Sequence, residues 1–125
     1  MSRAPMEKRS RLKFKRFNLP MRPNEKAARC YELMMERALT RRTFGKLLAE
    51  HGGCQEMIAD AASDLEAARL LTLSCAEAMD THGARHARGK IASIKVSVPE
   101  LTSKVVDRAV QVSHALLVPS ETVYS

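Results

Sequence analysis

The stretch LTRRTFGKLLAEHGG, residues 39–53, sets two adjacent guanidinium groups, a hydroxyl, an aromatic ring, an ammonium and three glycines side by side. It follows a segment of helical spacing, so Arg41, Arg42 and Lys46 stand near a helix C-terminus, where a cation gains up to about 1 kcal/mol from the helix dipole. That accounts for the charges and leaves Thr43, Phe44 and Gly45 unexplained. Two other groups of residues could do chemistry. His82 and His86 are four apart, a spacing that suits a metal on a helix, but Gly83 places them in a polar connection and only His51 and His114 remain as further imidazoles, so a solvated loop is expected. Cys54 or Cys75 would need a neighbouring base to act as a nucleophile, and Cys75 lies on an apolar stripe, so core packing is expected instead.

The elements that position these residues are helical. Asn24 can cap a helix, Glu25 suits its first turn, and Ala27, Tyr31, Met34, Met35, Ala38 and Leu39 recur at helical spacing, predicting a first helix to about Arg41. A second helix starts near Cys54, with Ile58, Ala61, Leu65, Ala68, Thr72, Cys75 and Met79 stepping by three and four. Met57, Leu70, Leu71 and Leu73 widen its apolar surface, predicting burial on more than one side. After the polar connection THGARH, residues 81–86, the series Ile91, Ile94, Val98, Leu101, Val105, Ala109 and Val112 defines a third helix, in which Pro99 predicts a kink rather than a break because the stripe keeps its phase. No strand signal precedes residue 113. The fold class is all-α: an antiparallel bundle of about three long helices.

Charge divides the chain. Residues 1–23 carry eight basic groups against Glu7 alone, whereas the thirteen basic and thirteen acidic residues that follow cancel, so the net charge of +7 describes a leader and gives the folded part no nucleic-acid signature. Dense charge and Pro5, Pro20 and Pro23 predict an irregular leader over 1–23, a helical domain over 24–112 and an irregular tail over 113–125. The leader reads as a solvated tail, a targeting segment or a nucleic-acid contact. The three cysteines are odd in number and have no CxxC pair, which supports neither a disulfide framework nor a zinc site and fits a reducing, intracellular compartment. No apolar run approaches the roughly 18 residues of a membrane span.

The segment RRTFGKLLAEH resembles the start of the second helix-turn in the C-terminal domain of acyl-CoA dehydrogenases, and the resemblance continues in order through MIADAASDLEAARLLTLSCAEAMD and IASIKVSVPELTSKVVDRAVQV. It covers roughly residues 27–112, and Pro99 with the LLTL and AMD segments is most similar to the large multidomain branch of the family. The resemblance implies a piece of an FAD-dependent oxidoreductase of fatty-acid β-oxidation, in which the flavin accepts a hydride from an acyl-CoA after a carboxylate removes the α-proton. It implies that Arg41, Thr43 and Phe44 hold the pyrophosphate and adenosine part of FAD from a neighbouring subunit, that Gln111 approaches the pyrophosphate, and that His51 lies near the cofactor. A guanidinium and a hydroxyl both donate to phosphate oxygens, and Gly45 lets the backbone turn.

Where the family continues after DRAVQV with a glycine pair, an aromatic turn and a last helix, this chain has SHALLVPSETVYS. No residue here matches the family's usual catalytic carboxylate, Glu32 and Glu36 on the first helix are expected to face water, and the flavin-covering domain has no counterpart. The expectation is therefore a truncated domain that retains one edge of an FAD site, holds no catalytic residue and no metal, and is inactive alone. Its uncovered apolar stripes predict self-association or pairing with a full-length family member. The resemblance puts it first in mitochondria, with cytoplasm or peroxisome as alternatives. The rival expectation is a small helical interaction module whose basic arm binds nucleic acid or an anionic surface.

Overall fold

A computed structural model describes the backbone of residues 6–114 and the side chains of residues 22–114. Three long helices dominate: α1 spans Met6–Thr40, α2 spans Gly52–His86 and α3 spans Arg88–His114. Between α1 and α2 the chain makes two short antiparallel strands, β1 (Arg42–Thr43) and β2 (Lys46–Leu47), then one 3-10 turn over Leu48–Glu50.

Helix α1 extends further back than the sequence predicts. The leader expected to be irregular is helical from Met6, because its Lys, Arg, Met and Leu residues are good helix formers and Pro20 and Pro23 remove amide donors without ending the element. Asn24 is therefore an interior helix residue, not a cap. Its Nδ2 donates to Thr72 Oγ1 at 2.9 Å, and the Thr72 hydroxyl in turn donates to the Ala68 carbonyl at 2.8 Å, tying α1 to α2. The tail expected over 113–125 is helical at Ser113 and His114 and otherwise lies outside the described residues.

Helices α2 and α3 bury the stripes their spacing predicts. Ala61, Ala68, Thr72, Cys75 and Met79 are buried on α2, and Ile94, Val98, Val105, Ala109 and Val112 on α3. The core forms two clusters, one gathering Met34, Ala38, Cys54, Ala61, Val105 and Ala109 from all three helices with Leu48 from the 3-10 turn, the other joining α2 to α3 through Cys75, Met79, Ile94 and Val98. The expected second buried face of α2 is not there: Leu70, Leu71 and Leu73 are 56%, 37% and 61% exposed, because neither α1 nor α3 covers that side. Helix α3 passes through Pro99 on its exposed face, and the Thr102 hydroxyl donates back to the Val98 carbonyl at 2.8 Å across that turn.

Among the described residues one ion pair crosses the bundle. Arg108 of α3 donates to Asp64 of α2, with both side chains about three-quarters buried. Removing one partner leaves a poorly solvated charge, so Asp64→Asn is expected to cost about 1–2 kcal/mol. Urea unfolding checks this, and an unchanged midpoint would make the pair a surface contact of no consequence.

Candidate functional site

The unusual backbone lies at the junction of α1 and α2. Strands β1 and β2 pair Arg42 with Leu47 and Thr43 with Lys46, so Phe44 and Gly45 alone form the loop. Both have positive φ, 51° and 83°, the conformation a two-residue type I′ hairpin requires. Glycine adopts it freely, but a phenylalanine there is rare and strained. The strand pair is a feature the sequence reading missed, because two residues per strand are too few for an alternating pattern and Phe-Gly is not a usual loop pair.

Several hydrogen bonds fix this hairpin to the helices. The Arg41 amide donates to the Arg37 carbonyl at 3.0 Å, the Leu48 amide to the Arg41 carbonyl at 2.9 Å, and the Leu47 amide to Glu50 Oε2 at 2.7 Å. His51, the residue before α2, lies 3.1 Å from the Thr43 carbonyl and 3.2 Å from Thr43 Oγ1 through the same Nε2. A carbonyl oxygen only accepts, so Nε2 carries the proton and the Thr43 hydroxyl hydrogen stays available to donate outward. The Phe44 ring stands edge-on to the His51 ring at 6.4 Å and is 79% exposed.

The structure thus brings Thr43, Phe44 and His51 together, with Arg41 at the base of the same hairpin. His51 acts from beneath as the pin that holds Thr43, a role only the fold reveals. Gln111 belongs to another element: it is exposed near the end of α3 and makes no hydrogen bond to the hairpin, although its neighbour Val112 packs in the cluster that holds Ala38 and Leu48. Arg41, Arg42 and Lys46 are exposed, and none is ion-paired among the described residues. Arg42, adjacent to the predicted residues, adds a second free guanidinium.

The remaining candidates behave as structural groups. Among the described residues no cluster of three potential metal ligands occurs, and the His82 and His86 rings lie 5.0 Å apart on the chain flanking Gly83. Burial pushes the Cys54 and Cys75 thiols up, with nearby Lys90 pulling Cys75 down by less, which disfavours the nucleophilic thiolate at both. Glu32 and Glu36 face water, Glu32 beside Arg29 at 3.1 Å. No helix among the described residues is long and apolar enough to cross a membrane.

The sequence of this bundle matches a known domain. The family model described as "Acyl-CoA dehydrogenase, C-terminal domain" matches residues 8–115, and the chain belongs to that family. It is similar to "Probable acyl-CoA dehydrogenase IBR3" of Arabidopsis thaliana, 45% identical over 97 residues, 78% of this chain and 12% of that protein. It is also similar to "Acyl-CoA dehydrogenase family member 11" of Rattus norvegicus, 44% identical over 86 residues, 69% of this chain and 11% of that protein. "Probable acyl-CoA dehydrogenase FadE2" of Mycobacterium tuberculosis is 39% identical over 102 residues, 82% of this chain and 25% of that protein. The chain therefore spans between a tenth and a quarter of these relatives. The match begins within the basic segment, at residue 8.

Proposed function

We propose that this domain supplies one edge of an FAD site in an acyl-CoA dehydrogenase assembly and does not oxidise acyl-CoA by itself. The observation that carries the proposal is Phe44: a bulky ring held at positive φ and left exposed is a strained arrangement that a packed ligand would justify. The residues around it fit a dinucleotide. Arg41 and Arg42 offer uncompensated guanidinium donors for a pyrophosphate, Thr43 keeps its hydroxyl hydrogen free because His51 occupies its oxygen, and Phe44 gives an apolar wall for a ring. When bound, FAD supplies a hydride acceptor; this chain's own residues bind and orient its phosphate-bearing end. Gln111, exposed on α3, is left out of this edge.

The exposed Leu39 and Phe44 near this site, with Leu70 and Leu73 on α2, support association with a second copy or with a longer family member. By family resemblance we place this pairing in mitochondria.

The test is an FAD titration followed by flavin fluorescence, with sedimentation in the same buffer. Saturable binding by an associated species is expected, weakened about tenfold by Arg41→Ala, as loss of a charge-assisted contact to phosphate implies. Binding that Arg41→Ala leaves unchanged, or a monomer that ignores FAD while fully helical, would sink the proposal.

A further inference from the structure

The far end of the bundle carries a second concentration of positive charge. Between Asp80 and Glu100 the chain has Arg85, Arg88, Lys90 and Lys95 and no acidic residue, although basic and acidic groups cancel over residues 24–125 as a whole. Arg85, Arg88 and Lys95 line one open groove of about 490 Å³ with Ala84, Ile91 and Ala92. None of the three cations is ion-paired among the described residues. Lys90 points away, donating to Ser74 at 3.0 Å.

This arrangement works against the helix that bears it. Helical bonds from the Ala87 amide to the Gly83 carbonyl and from the Ile91 amide to the Ala87 carbonyl carry this helix back to Gly83, so Arg85 stands in its first turn with no acid before Glu100, and a cation there opposes the helix dipole. An anion in the groove would reverse that unfavourable term. Arg88 and Lys95 are seven residues apart, about 10.5 Å along the axis at 1.5 Å per residue, a span that a two-phosphate group fills more fully than one phosphate. The stretch is also too short to track a nucleic-acid backbone, and the charge balance of the folded part gives no extended basic face around it.

The geometry points to a binding site for a compact diphosphate group, held by Arg85, Arg88 and Lys95 over an apolar floor of Ala84, Ile91 and Ala92. It lies at the opposite end of α2 from the hairpin, about 45 Å away along the helical stretch from Gly52 to the break at Gly83, so it is separate from the FAD edge and independent of that proposal.

Titration of the full chain with inorganic pyrophosphate, read by amide chemical shifts at constant ionic strength, tests the site. Saturable shifts are expected at residues 84–95, with orthophosphate binding at least tenfold more weakly and with affinity lost about tenfold in Arg88→Gln or Lys95→Gln. Both substitutions are at exposed positions, and circular dichroism confirms that each variant is folded. An ADP arm separates sources: tighter binding with added shifts at Ile91 and Ala92 marks a nucleotide diphosphate, and equal binding marks the free ion. Shifts that chloride reproduces, that centre on residues 6–23 or on the hairpin, or that orthophosphate produces equally well, would overturn the assignment.

Discussion

Met34→Ala is expected to destabilise the bundle by about 2–5 kcal/mol, a large share of the roughly 5–15 kcal/mol that holds a typical domain together. Met34 is 1% exposed and is the largest of the fully buried side chains. Its company sets where in that range the cost falls: Ala27, Ala38, Ala61, Ala109 and Cys54 are too short to reach into the space a methionine vacates, while Leu48, Val105 and Val112 in the same cluster can fill part of it. The cavity therefore collapses only in part. Urea unfolding followed by circular dichroism should show a lower midpoint with little change in slope. Leu39→Ala is the control, since Leu39 is 57% exposed and should shift the midpoint only slightly. Equal effects from the two would mean that Met34 is not the centre of the core.

The second large effect is a contrast between two glycines. Gly83 and Gly89 both have open space where a Cβ would go, so neither substitution by alanine meets a steric neighbour. They differ in backbone. Gly83 sits at φ 83° and ψ 163°, a region essentially reserved for glycine, where the chain turns out of α2 and the Ala87 amide returns to the Gly83 carbonyl at 3.1 Å. Gly89 lies near the start of α3 without positive φ. Gly83→Ala should cost about 1–3 kcal/mol, while Gly89→Ala should stabilise by up to about 1 kcal/mol. Thermal melting reads both, and the opposite signs are the diagnostic. If both variants shift the same way, the strain at Gly83 is not what governs the turn.

These residues also mark where the sequence could be read and where it could not. The stripes on α2 and α3 were legible because helix periodicity is a property of single residues and their spacing: Ala68, Thr72, Cys75 and Met79 stand where the pattern puts them. How many neighbours cover a helix is not encoded in that way. Leu70 and Leu73 widen the apolar arc of α2, and only the placement of α1 and α3 reveals that both stay more than half exposed. Asn24 gave a good capping signal, yet residues before it continue the helix, and its side chain reaches Thr72, forty-eight positions away. At the candidate site, Gly45 hinted at a turn, but the positive φ of Phe44 came from strand pairing that two-residue strands cannot announce. His51 was read as near a ligand; its contact with the Thr43 carbonyl makes it a support for the residue that would touch one.

The small buried residues have a further meaning for how this domain can change over time. Ala27, Ala38, Ala61, Ala68, Ala87 and Ala109, with Cys54, Cys75, Thr72 and Thr102, make up most of what the helices press against one another. Each sets the distance between two backbones, so a larger side chain at any of them must push a whole helix outward, while a smaller one has almost nothing left to remove. Single substitutions in this interior are thus confined to a narrow corridor, and enlargement is open only to paired changes in which one helix gives up volume as its neighbour gains it. Divergence within the bundle should accordingly accumulate on its outer faces, leaving the alanine contacts as its slowest-moving part.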